Sequence, residues 1–152
     1  MFNFAIYQCV LKMGISQQIL SDLADDIEMG FVCFIHKETF EVVSYPDPDR
    51  FGDMETEMWK SEISKIKRQK KKFIQIEKKD SFQKFKVMRQ FVDSLENNST
   101  KVALLIALEG PKPFANFKDN IHNSGDYRDL WFAFLKKRNI EWIRNQIDSE
   151  LS

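Results

Sequence analysis

Hydrophobic positions along this chain recur first at helical spacing, then alternate, then return to helical spacing for most of the second half. Ile19, Leu20, Leu23, Ala24 and Ile27 share one face of a first helix, with Asp22, Asp25, Asp26 and Glu28 largely on the other. Ser16 is placed to cap it and Gly30 to end it. The β-rich runs Phe31 to His36 and Phe40 to Tyr45 flank Lys37-Glu38-Thr39, which predicts a hairpin whose turn is not of the Asn-Gly type. Pro46-Asp47-Pro48-Asp49 then breaks regular structure.

From about Asp53 to Lys70 the pattern is helical but polar, with Met54, Met58, Trp59, Ile63 and Ile66 as its apolar stripe. Phe73, Ile74 and Ile76 form a short third strand, whose pairing partner local sequence does not reveal. Ser81 is the expected cap of the next helix, with Phe82, Phe85, Met88, Val92 and Leu95 on one face, interrupted at Asn97-Asn98-Ser99. Thr100 to Leu108 is apolar enough to predict a helix buried on most sides, and Lys112 to Ile121 a short helix bearing Phe114, Phe117 and Ile121. Gly110, Pro111 and Pro113 turn the chain between them. Ser124-Gly125-Asp126 opens a long last helix to about Ser149, with Asp126 as cap and Asp129 in its first turn, favourable for the helix dipole. Leu130, Trp131, Phe134, Leu135, Trp142 and Ile143 are expected to lie over Phe114, Phe117 and the Thr100 to Leu108 helix.

The reading that follows is an α+β single domain over residues 1–152: a small antiparallel sheet, made of a hairpin and a third strand, packed with a mainly helical C-terminal half. Residues 14–80 hold the helix, hairpin and charged helix and strand; 81–152 are helical. The start, Met1 to Met13, is either an added edge strand in which Phe2, Phe4 and Ile6 alternate, or an extension ahead of a biological start at Met13. It is too short to span a bilayer and lacks the charge and cleavage pattern of a secretory signal, so no membrane association is expected.

Composition supports a core, with 43% hydrophobic and 13% aromatic residues in 152. Charge changes the picture more. The formal net charge is zero, yet Gly14 to Glu62 carries twelve acids against Lys37, Arg50 and Lys60, and Ile63 to Arg89 carries eleven bases against Glu77 and Asp80. The acidic first helix could face the basic segment and neutralise it. If it does not, Lys65, Lys67, Arg68, Lys70, Lys71 and Lys72, followed by Lys78 and Lys79, are the candidate contact for nucleic acid or a protein partner, with Phe73 available to stack on a base.

Other chemistry finds little purchase. Cys9 and Cys33 are too few for a disulfide framework, so a reducing cytoplasm is the natural setting, and neither has zinc-ligand spacing. His36 and His122 sit apart, without a nucleophile motif, and the acids of the first helix lack the glycine and alternation of a calcium loop. Glu109 is expected to cap the helix that follows it, and Lys118-Asp119 to make surface contacts. The five glycines form no phosphate loop. No catalytic residue, metal site or cofactor is assigned.

In order along the chain, several segments resemble the bacterial uncharacterised protein family 0158, over about Ser16 to Ile147. His36-Lys37-Glu38-Thr39-Phe40-Glu41-Val42 is similar to its Asp-x-Glu-Thr-Gly-Glu-Val-like turn. Phe73-Ile74-Gln75-Ile76 leading to Ser81, Met88, Phe91 and Leu95 is similar to its strand and Ser-initiated helix. Most specific are Ala107-Leu108-Glu109-Gly110, Phe114, Phe117-Lys118-Asp119 and Trp131. The chain departs where His36 takes an acidic position and Phe40 a turn glycine; a phenylalanine resists the left-handed conformation, so a different turn geometry is expected. The resemblance implies no activity. The residues themselves favour a non-enzymatic cytoplasmic interaction or regulatory module, contacting a protein partner or a second copy of itself, with nucleic-acid binding through Lys65 to Lys79 as the alternative.

Overall fold

A computed structural model describes residues 15–52 and 57–152; the expected edge strand within Met1 to Met13, and Met54, lie outside the described residues. The fold is α+β, with a small three-stranded antiparallel sheet and a mainly helical C-terminal half. It forms two compact units, one running through Lys78 and resuming at Asn139–Ser152, the other Lys79–Arg138.

In the sheet-containing unit, α1 (Gln17–Glu28) begins where the Ser16 hydroxyl accepts the Ile19 amide at 3.1 Å. It ends at Gly30, whose φ of +89° suits glycine and whose missing side chain leaves room for the Arg50 guanidinium. Strands β1 (Phe31–His36) and β2 (Val42–Pro46) form the expected hairpin, in the register Phe31 to Pro46 through Ile35 to Val42. Strand β3 (Phe73–Ile76) pairs antiparallel with the other side of β1, Cys33 opposite Ile76 and His36 opposite Phe73, so the order is β2-β1-β3. Alternation divides the strand residues between two faces. Cys33, Ile35, Ile74 and Ile76 pack with Leu20, Leu23 and Ala24 of α1 and with Ile143 and Ile147. Phe34, Val43 and Phe73 pack on the other face with Ile66 of α3 (Lys60–Gln69). The short α2 (Pro48–Phe51) is capped by Asp47. Trp59 packs edge-on against Phe31 with ring centroids 5.9 Å apart, but Met58, expected on the buried stripe, is 87% exposed.

The helical unit contains α4 (Ser81–Asp93), α5 (Ser99–Glu109), α6 (Pro113–His122) and the first part of α7 (Asp126–Leu151). The cap of α4 is Asp80, not Ser81: its carboxylate accepts the Gln83 amide and the Gln83 side chain accepts the Asp80 amide, each at 2.8 Å. This reciprocal box satisfies two otherwise unpaired N–H groups, which a serine one residue later would not. The buried face of α4 is Val87, Met88, Phe91 and Val92, whereas Phe82 is 75% exposed, because about two and a half helical turns before Phe91 it lies on the opposite side of the helix. Asn98 caps α5. That helix is not buried on most sides: Leu104, Ala107 and Leu108 are buried, but Val102 and Ile106 face solvent one turn apart.

Around Phe117, fully buried, the rings of Trp131, Phe91 and Phe134 assemble, with Phe117 and Trp131 in a T-shaped contact of 4.9 Å. Leu104, Leu108, Ile121, Phe114 and Leu135 complete this core. Two parts of the expected aromatic wall differ. Leu130 is exposed, and Trp142 and Ile143 belong to the sheet core. The helix α7 is long enough that its two ends serve different units, a division that helical spacing does not register.

Candidate functional site

The basic segment occupies the junction between α3 and β3. Lys67 and Arg68 lie in the last turn of α3, a 3₁₀ turn of Lys70–Lys72 follows, and Phe73 opens the strand. The Lys72 carbonyl accepts the Lys37 amide at 2.9 Å, so the hairpin turn is stitched to the basic turn through the backbone. Lys67, Arg68, Lys70, Lys71 and Lys72 are all exposed, and none makes an ion pair or a side-chain hydrogen bond with another described residue. Lys65 differs. It is half-buried and paired with Glu41.

The acidic helix α1 does not supply the missing counter-charges. Asp22 accepts from the Gln18 side chain, Asp26 from the Ser44 hydroxyl at 2.9 Å, and Glu28 from Asn139 at 3.1 Å. Burial pushes the Asp26 carboxyl above its ordinary value, opposed by the Ser44 hydrogen bond. Further along, Lys78 bonds Asp47 at 2.8 Å, and that bond holds the Asp47 carboxyl below its ordinary value. Among the described residues, salt bridging therefore takes up the flanks of the basic segment and leaves its centre unpaired.

Local energetics permit this cluster without requiring it. Cations near the C-terminus of a helix gain about 0.3–1 kcal/mol each from its dipole, an effect confined to the last turn. Lys67 and Arg68 lie within that turn, and Lys70–Lys72 beyond the end of α3.

Phe73, expected to be available for stacking on a base, is buried instead. It is 5% exposed, packed with Phe34, Val43 and Ile66, and its ring meets His36 edge-on at 5.0 Å. Pairing with β1 turns its side chain into the sheet face.

At the hairpin turn the backbone does what the residue type opposes. Phe40 has φ of +60°, so the expectation that a phenylalanine would avoid the left-handed region is corrected. His36 brackets it: its carbonyl accepts the Phe40 amide at 3.1 Å and its amide donates to the Glu41 carbonyl at 2.8 Å. The His36 ring Nδ1 accepts the amides of Glu38 and Thr39 at 3.1 and 3.2 Å, the role a carboxylate plays in an Asx turn. Packing of Phe40 on the α1 side of the sheet offsets a backbone cost of about 1–2 kcal/mol. Sequence reasoning missed this use of His36.

The remaining candidates are occupied structurally. Burial pushes the Cys33 thiol up to about 12, with the Asp26 charge adding to it, so it is not a nucleophile at neutral pH. Glu109 does not cap α6, whose N-cap residue is Lys112 and which has no side-chain cap; the Glu109 carboxylate lies 3.4 Å from Arg89 of α4. His122 is exposed at the end of α6. A shallow polar groove of about 400 Å³, unseen in the sequence, runs between the start of α5 and the end of α6, lined by Ser99, Thr100, Asp119, Asn120, Asn123 and Ser124 among others. Asn120, Asn123 and Ser124 turn their side chains back onto carbonyls of α6. Among the described residues no group of three or more His, Cys, Asp or Glu could hold a metal ion, and no helix is long and apolar enough to cross a membrane.

Fold and site together define an α+β protein with an exposed cationic junction beside a small antiparallel sheet. The chain belongs to the Uncharacterised protein family (UPF0158), whose profile matches residues 47–150; that span includes the basic junction and the helical unit, while α1 and the hairpin precede it. No curated protein and no solved structure gives a match.

Proposed function

We propose that the chain is a non-enzymatic interaction module that engages an anionic partner through the α3–β3 junction. The observation that carries this reading is the set of five exposed cations, Lys67, Arg68, Lys70, Lys71 and Lys72, with no counter-charge among the described residues. Clustered cations attract polyanions by releasing their condensed counterions. The buried Cys33 thiol suits a reducing setting such as the cytoplasm. The test is retention of the full chain on a sulfated polysaccharide matrix. The parent is expected to elute at clearly higher salt than the Lys70→Glu, Lys71→Glu, Lys72→Glu triple variant; co-elution of the two removes the reading.

A second reading, self-association, is favoured by Val102 and Ile106, 54% and 67% exposed on one face of α5. Apolar side chains one turn apart are the usual anchors of helix docking. It expects a mass above the monomer in light scattering that Ile106→Lys reduces. A monomer at all concentrations removes it.

A further inference from the structure

Resting on the anionic-partner reading, we infer that the occupant of the α3–β3 junction is double-helical nucleic acid, gripped by its phosphate backbone and not read through its bases. Three observations converge on that choice. First, the cations are continuous: Lys67, Arg68, Lys70, Lys71 and Lys72 span about 9 Å of backbone, at about 1.5 Å per residue in the α-helix and about 2.0 Å in the 3₁₀ turn. That covers nearly three nucleotides of one strand at about 3.4 Å each, before the reach of the side chains is added. The Lys37 amide bond to the Lys72 carbonyl brings a sixth cation to the same corner, where Glu38 is the adjoining acid.

Second, the aromatic that would serve unstacked bases is withdrawn. Single strands are held by stacking on exposed rings, and Phe73 is packed under His36 in the sheet. A duplex keeps its bases stacked on one another, so its phosphate backbone can be held without any exposed ring. Third, the junction has no apolar anchor. The large hydrophobic side chains exposed among the described residues are Met29, Met58, Phe82, Val102, Ile106, Leu130 and Phe132, none of them between Lys60 and Ile76. Protein interfaces draw their affinity from buried aromatic or aliphatic anchors with charge at the rim, whereas phosphate contacts need only lysine and arginine.

The test is fluorescence anisotropy with the full chain and three probes at matched ionic strength: a mixed-sequence DNA duplex, one of its single strands, and polyglutamate. The duplex is expected to bind more tightly than the other two, and a second duplex of unrelated sequence to match it within about twofold, because phosphate contacts carry no sequence information. Five to six contacts predict a slope of log K on log salt of about −4.5 to −5.4. The Lys70→Glu, Lys71→Glu, Lys72→Glu variant should reduce the slope's magnitude by about 2.7, and Lys118→Glu, an exposed cation of the helical unit, should leave it unchanged. Circular dichroism of both variants matching the parent excludes unfolding as the cause. Preference for polyglutamate or the single strand, or a strong dependence on base sequence, overturns the inference and leaves the anionic-partner reading standing. Failure of all three probes to bind overturns both.

Discussion

In the helical unit the core is assembled from neighbours in the chain: α4, α5, α6 and the start of α7 follow one another through short turns, and their apolar faces meet around Phe117 and Trp131. The sheet unit draws its core from segments far apart, with Leu20 and Leu23 of α1 packed against Ile143 and Ile147 near the other end of the chain. Helical spacing therefore identifies much of the first core, Phe117 and Trp131 included, but not the exposure of Phe82 and Leu130. In the second it finds the α1 face and misplaces Trp142 and Ile143, because a period carries no information about which distant segment a face will meet.

This contrast is open to experiment. The largest loss is expected from Phe117→Ala, about 3–5 kcal/mol for a buried ring removed from a closed aromatic cluster. Thermal melts measure the total, and hydrogen exchange should rise in α4 to α6 more than in β1 to β3; equal acceleration in both would erase the distinction between the cores. Ile143→Ala, next in size at about 2–4 kcal/mol, should show the reverse pattern, with the sheet amides deprotected first. Exchange changes confined to α5 and α6 would restore the assignment that periodicity alone suggests.

Asp80→Ala removes one arm of the capping box and should lower stability by about 1 kcal/mol, while Ser81→Ala, beside the cap, should cost much less. Equal losses would put the cap back at Ser81. The smallest effect belongs to the sheet unit's surface. The Lys78 hydrogen bond keeps the folded-state Asp47 carboxyl below its ordinary 3.8, so its stabilisation is complete above that value and disappears as pH falls through the lowered one. Being partly exposed to solvent, the pair is worth at most about 1 kcal/mol, and Asp47→Asn should flatten the acid limb of stability against pH by no more than that. An unchanged acid limb would mean that the pair holds no net energy.

The elements themselves were legible because each is written locally: Ser16 before an apolar stripe, alternation in Phe31 to His36, Gly110 and Pro113 between helices. The basic run was equally plain, whereas its significance was not. Whether α1 would cover it depends on where Asp22, Asp26 and Glu28 find partners, and those partners, Gln18, Ser44 and Asn139, are mostly remote in sequence. Local reading also failed at Phe40, where a hairpin closed by His36 imposes a positive φ that the residue would not choose.

By itself, then, the sequence determined the succession of helices and strands, the aromatic core of the helical unit and the position of the charge, since periodicity, caps and composition act over a few residues. Only the tertiary structure decided that β3 lies beside β1 with Phe73 turned inward, that the last helix divides between two cores, and that the cations from Lys67 to Lys72 form no ion pair among the described residues. Those outcomes depend on pairings between distant segments, which are chosen by the burial and hydrogen bonding of the whole chain and by no stretch of it alone.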